Sequence, residues 1–190
     1  MPWDALFTQM RSCQGCALCK TRKNVVPGEG DVHAPLMLVG EGPGAQEDAS
    51  GRPFVGAAGQ LLNHMLSLMD IPREKVYIAN IVKCRPPGNR APLPQEMDAC
   101  LPFLRAQTRL IRPRIIVCMG ATAAGKLIDA NLRITRDRGI WVQRKGFYLM
   151  PTFHPAAVLR DKAKQPLMAN DLGLVVEKLR ELSLLPSSGG

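Results

Sequence analysis

The sequence predicts an α/β fold built on a parallel sheet, because four short β-rich runs alternate along the chain with segments of helical periodicity. The runs are PLMLVG at 35–40, VYIANIV at 76–82, IIVCMG at 115–120 and FYLMPTF at 147–153. After the first, Leu61, Leu62, Met65, Leu66 and Met69 recur at steps of three and four, which predicts a helix over 57–69 covering one face of the sheet. Pro94 suits a first helical turn, so a second helix should start there and end before Pro113, with Met97, Leu101, Leu104 and Ile111 on its inner stripe. A third helix is expected over 121–130 and a last over 167–184, while IWVQR ahead of KGFYLM is expected to pair as a small hairpin or edge strand.

A chain of 190 residues suits one domain, expected over 1–185 with a frayed tail at 186–190. Lys and Arg total 25 against 16 Asp and Glu, and a net charge of +9 attracts polyanions such as nucleic acid. No apolar run approaches the ~20 residues of a membrane span. The opening MPWDALFTQM lacks the basic-then-apolar pattern of a leader. These features predict a soluble, cytoplasmic protein with no membrane partner, and a monomer is the expectation. That compartment is reducing, so the six cysteines are expected to include metal ligands rather than disulfides.

In open α/β sheets the ligand crevice lies beyond the carboxyl ends of the strands. Three features end strands here, the glycine run from Gly40 to Gly44, Asn80, and FHP at 153–155, and their convergence would form one pocket. Gly42-x-Gly44-x-x-Glu47 imitates a dinucleotide fingerprint, but its third glycine is an acid that would repel a pyrophosphate. GATAAGKL at 120–127 imitates a phosphate loop, yet Leu127 stands where a hydroxyl should bind magnesium. A helix start packed closely on a strand explains it better.

Cys13-x2-Cys16-x2-Cys19 opens like a ferredoxin run, but Lys23 stands where the fourth cysteine would fall, so the local ligand set cannot close. Cys84 and Cys100 are candidates for a distant fourth thiolate, whereas Cys118 inside an apolar strand reads as a small core hydrophobe. The pattern alone does not separate zinc from iron–sulfur. Asn80 is the one strongly polar residue of VYIANIV, and a buried amide needs backbone, water or a ligand as partner. Phe54 reads as core or stacking platform, and His154 before Pro155 as helix cap or functional imidazole.

Taken together, these segments resemble the family 4 uracil-DNA glycosylases, the iron–sulfur branch of that superfamily. GEGPGAQED at 40–48 resembles the family's first motif, GRPFVGAAGQLL at 51–62 its base-stacking segment, NIVKCRPPGNRAPLP at 80–94 its middle motif, and HPAAVL at 154–159 its second catalytic motif. The resemblance implies a three-layer αβα fold around a central four-stranded parallel sheet. It also implies a structural 4Fe–4S cluster on Cys13, Cys16, Cys84 and Cys100, with Cys19 matching no family ligand. The activity implied is excision of uracil from single- or double-stranded DNA, which requires the nucleotide to be flipped out of the stack.

By the same resemblance, Gly40 and Gly42 let backbone reach the flipped base, Phe54 stacks on it, and the Asn80 amide reads its O4 and N3 edge. His154 would donate to O2 as charge gathers there. Glu41 is the first choice to orient the water and Glu47 the second, since many relatives carry an aspartate where this chain has Gly42. Val158 or Leu159 would fill the vacated stack as an apolar wedge. Arg85, Arg90 and Arg160, with Lys83, Lys162 and Lys164, would meet phosphates. The chain runs from Asn80 to Pro94 without the basic insertion by which some relatives bond covalently to the sugar, so turnover is expected rather than an adduct. Two rival readings are a non-catalytic iron–sulfur module that binds DNA or a replication or repair protein, and a zinc protein.

Overall fold

The computed structural model describes residues 2–185, and the tail expected at 186–190 lies outside them. In chain order the elements are α1 (Trp3–Arg11), β1 (Glu29–Gly30), β2 (Leu36–Gly40), α2 (Ala45–Ser50), α3 (Ala57–Leu68), β3 (Tyr77–Asn80), α4 (Pro94–Ile111), β4 (Ile115–Met119), α5 (Ala121–Leu127), α6 (Ile134–Asp137), β5 (Val142–Arg144), β6 (Phe147–Thr152), α7 (Pro155–Arg160) and α8 (Gln165–Glu181). The sheet runs β1-β3-β2-β4-β6-β5. Its central four strands are parallel, as the alternation predicts, and β1 and β5 add short antiparallel edges. The edge strand expected from IWVQR is β5.

Strands β2 and β4 are buried along their whole length, the state of apolar runs covered on both faces. The period of two divides their side chains between two cores. Leu36, Leu38, Ile78, Ile115, Val117 and Met150 face α3, α7 and α8 through Leu62, Met65, Val158, Met168 and Leu172. Met37, Val39, Ala79, Ile116, Cys118 and Leu149 face α4 and α5 through Leu101, Leu104, Ala123 and Ala124. The result is helix on sheet on helix. Cys118 sits in this second core, where burial pushes its thiol up to about 12.

Four helices carry too little pattern to be expected from periodicity. Helices α2, α6 and α7 have six, four and six residues, under two turns each, and α1 precedes any strand. Helix α1 docks through Trp3, whose ring lies 5.7 Å from that of Tyr77. Because β2, β3, β4 and β6 are parallel, Gly40, Asn80, Met119 and Thr152 all end at one rim of the sheet.

Candidate active site

Register places Gly40 beside Asn80 at that rim. A Cβ on Gly40 would stand 2.6 Å from Asn80 Oδ1 and 2.6 Å from Phe54 Cζ, so the amide and the ring close over the same bare backbone. Asn80 is 2% exposed, and its Oδ1 is buried without a hydrogen-bond partner. A buried carbonyl left unpaired costs about 1–3 kcal/mol unless something arrives to donate to it.

Phe54 is held in a left-handed conformation, φ +50°, which a bulky residue tolerates only when its surroundings impose it. Glu47 Oε1 accepts from the Val55 and Gly56 amides at 2.8 Å each. From behind, Arg73 donates to Pro53 O at 2.6 Å, Phe54 O at 3.1 Å and Asn63 Oδ1 at 2.8 Å. Gly59 of α3 backs the same turn, where a Cβ would lie 1.9 Å from Phe54 O. Asp48, also buried, ties α2 to the N-terminal segment by accepting from the Lys23 and Asn24 amides. Glu47 thus braces the Phe54 turn, and Asp48 anchors α2 to the N-terminal segment.

His154 caps α7, its Nδ1 accepting from Ala156 N at 3.1 Å. That bond places the proton of the neutral ring on Nε2. Burial, reinforced by Arg160 and opposed by Glu47, lowers its pKa from 6.5 to about 4, so the ring is neutral at physiological pH. It lies 5.6 Å from the Phe54 ring, and Gly120 at φ +93° lets β4 approach it, since a Cβ there would be 3.0 Å from His154 Cβ. Glu41 accepts from Thr122 Oγ1 at the start of α5.

Glu41, Gly42, Glu47, Phe54, Asn80 and His154 line one cleft of about 700 Å³. The three strand-ending features therefore do converge. A family model described as the uracil DNA glycosylase superfamily matches residues 27–180 of the chain. The chain belongs to the uracil-DNA glycosylase superfamily.

Relatives place this superfamily member in the type 4 branch. A type-4 uracil-DNA glycosylase of Thermotoga maritima is 47% identical over 166 residues, covering 85% of each chain. One of Pyrobaculum aerophilum is 43% identical over 183 residues, covering 92% of this chain and 93% of the relative. A type-5 uracil-DNA glycosylase of the same organism is 31% identical over 175 residues.

Two expectations need correction. Val158 is 1% exposed and packed in the core, so it cannot be the wedge, whereas Leu159, 43% exposed, points outward. Lys83 is 1% exposed and therefore meets no phosphate; its Nζ donates to Asn80 O at 2.9 Å. Arg160 and Lys164 do line the cleft mouth, as does Arg90, which also forms a two-pronged pair with the buried Glu96 at 2.8 and 2.9 Å. Arg85 is half-buried and donates to Asn89 Oδ1 at 2.7 Å. Thr122 and Arg73 escaped the sequence reading. The signal for Thr122 was available, because β4 ends at the same rim as the other three strands; nothing marks Arg73, whose partners, the Pro53 and Phe54 carbonyls and the Asn63 and Glu29 side chains, are all distant in sequence.

On the opposite side of β3, Cys13, Cys16, Cys19, Cys84 and Cys100 line a second, narrow cleft with Arg22 and Lys83. Three thiols there accept hydrogen bonds, Cys13 from Gly15 N at 3.4 Å, Cys84 from Arg22 Nη1 at 3.3 Å and Cys100 from Lys83 N at 3.3 Å. Burial pushes the Cys84 thiol up to about 11 against the pull of Arg22, with Cys100 and Cys16 adding to the rise. Burial also raises Cys100, opposed by Lys83, with Cys13 and Cys16 as the thiols acting on it. Among the described residues no three His, Cys, Asp or Glu side chains meet closely enough to hold a single ion. No described helix is long and apolar enough to cross a membrane.

Proposed function

We propose that this protein hydrolyses the N-glycosidic bond of deoxyuridine in single- or double-stranded DNA, releasing uracil and leaving an abasic site. The observation that carries the reading is the orphaned Asn80 carbonyl beneath the Phe54 ring. Uracil offers N3–H to that oxygen and takes the amide N–H on O4. Cytosine offers an acceptor at ring position 3 and a donor at 4, which reverses both matches and leaves buried polar groups facing like groups.

The stacked ring and paired edge leave O2 for His154, whose Nε2–H strengthens its bond as negative charge builds on the departing base. A neutral imidazole serves here by donating a hydrogen bond, with no proton transfer required. Glu41 orients the attacking water and accepts its proton, while its carboxylate offsets the cation-like sugar. Glu47 is the second candidate; its Oε1 is already engaged by two backbone amides, which favours Glu41. Leu159 is the wedge, and Arg85, Arg90 and Arg160 are the phosphate contacts.

The thiols fit a 4Fe–4S cluster by the chemistry of the donor set, since five converge on one cleft supplied with N–H donors to sulfur. Cys13, Cys16, Cys84 and Cys100 would hold it, the four positions that match the family pattern, with Cys19 on the same cleft wall. When bound, the cluster supplies a structural tie between the N-terminal segment and the loop after β3. The protein acts as a monomer on cytoplasmic, nucleoid DNA, with replication or repair proteins as further partners.

Oligonucleotides holding one U, T, C or hypoxanthine, incubated with the protein and cleaved by alkali at abasic sites, test the reading. Release at U and none at C is expected, and Asn80→Ala should cut the uracil rate by at least about 10²-fold, the scale of losing a well-placed transition-state contact. Salt-sensitive DNA binding without release would instead support a non-catalytic iron–sulfur module.

A further inference from the structure

Lys83 is a lysine in the wrong place for a surface role. It is 1% exposed, and an ammonium taken out of water needs compensation by charge or hydrogen bonds. No carboxylate among the described residues pairs with it, and its Nζ donates to the main-chain oxygen of Asn80 at 2.9 Å. On its other side lies the cysteine cleft, whose wall it shares with Cys13, Cys16, Cys84 and Cys100. Its own amide donates to Cys100 Sγ at 3.3 Å. One residue therefore contacts Cys100 Sγ through its amide and, through its ammonium, the strand end that presents the base-reading amide.

The connection is short and rigid. Asn80 is the last residue of β3, and the chain beyond it stays pinned to the glycine loop by Ile81 N to Gly40 O at 2.9 Å and Val82 N to Glu41 O at 3.2 Å. Lys83 O in turn accepts from Val26 N at 2.7 Å, tying this turn to the segment that follows the first three cysteines. Four thiolates around an iron–sulfur core would carry net negative charge, and Lys83, buried in the wall of their cleft, would be the cation beside them. Arg22, hydrogen-bonded to Cys84 Sγ, is the other cation of the cleft and is part-exposed.

We propose that Lys83 is the internal counter-ion of the cysteine centre and, through its hydrogen bond to the Asn80 carbonyl, a positioning residue that couples that centre to the base-reading amide. The second half rests on the uracil-excising reading above; the first does not. The buried lysine has a charge partner only while the thiols are ligated and anionic. Losing that charge frees it to move and shifts the strand end with it. The cysteine centre then holds the uracil-reading edge in place although it lies on the far side of the strand.

Lys83→Met keeps the length and removes the charge and the donor. In the iron-loaded protein, the rate at which a chelator bleaches the visible absorbance reads the counter-ion half. Inhibition by free uracil, with KM and kcat on uracil DNA, reads the positioning half. Outer-shell partners of metal ligands are typically worth about 10–100-fold, so Lys83→Met should bleach about ten-fold faster and bind uracil about ten-fold more weakly, with kcat reduced and KM for DNA little changed. An unchanged bleaching rate overturns the counter-ion role, and unchanged uracil inhibition overturns the coupling. If the variant does not fold, the wild-type protein stripped by chelator and still folded by circular dichroism gives the second test. Weakened uracil binding supports the coupling and undiminished binding overturns it. A wild-type protein that neither binds nor releases uracil would refute the functional reading and the coupling that rests on it, while the bleaching comparison still decides the counter-ion role.

Discussion

On the proposed reading, Asn80 and His154 make a uracil slot from little chemistry once geometry is fixed. The amide is left incomplete by the fold, and the imidazole is made into a one-sided donor because its Nδ1 is spent on capping α7. The lowered pKa of His154 has a definite sign. The unfolded ring takes up its proton near 6.5 and the folded ring only near 4, so between those values the unfolded chain binds more protons. The contribution of the neutral ring to stability is complete above pH 6.5 and is lost as pH falls toward 4. Replacing the ring by His154→Asn should therefore flatten the acid limb of a denaturant-midpoint profile over that range. Uracil release by the wild-type protein should show no inflection near pH 6.5 assignable to this residue. An inflection there that vanishes in the variant would mean the cation does the work.

At the scale of elements, the parallel centre of the sheet and the longer helices were legible because each carries a long enough period. The site was legible in part for a related reason, since Gly40, Asn80 and FHP fall where strands end and strand ends share a rim. The facing of α7 was not. With six residues it offers no repeat, and one residue of phase decides whether Val158 or Leu159 meets the core. Lys83 was misread for a similar cause, as a basic residue in a basic loop whose burial depends on where Cys84 and Cys100 lie in space. The phase of α7 makes a paired prediction. Val158→Ala should lower stability by about 2 kcal/mol, the scale of deleting buried methyl groups, measured by urea titration. Leu159→Ala should leave stability alone and raise KM for duplex uracil DNA more than for single strands. The reverse pattern would show that α7 presents its other side.

Over the whole molecule, a net charge of +9 and the basic residues at the cleft mouth separate two kinds of binding. Phosphate contacts weaken steeply with salt, whereas a buried amide and ring reading an uncharged base do not. KM for uracil DNA should rise with salt while inhibition by free uracil stays nearly constant, and equal salt dependence of both would place the basic residues inside base recognition. On the proposed reading, the two clefts divide the labour, the cysteine cleft holding the loop and the other reading the base. Competition by free uracil against 3-methyluracil during excision from a uracil oligonucleotide examines the slot itself. Uracil should inhibit and 3-methyluracil should not, because the methyl group removes the hydrogen that Asn80 Oδ1 lacks a partner for, and Asn80→Ala should erase the difference. Equal inhibition by the two bases in the wild-type protein would show that the amide of Asn80 does not read the base.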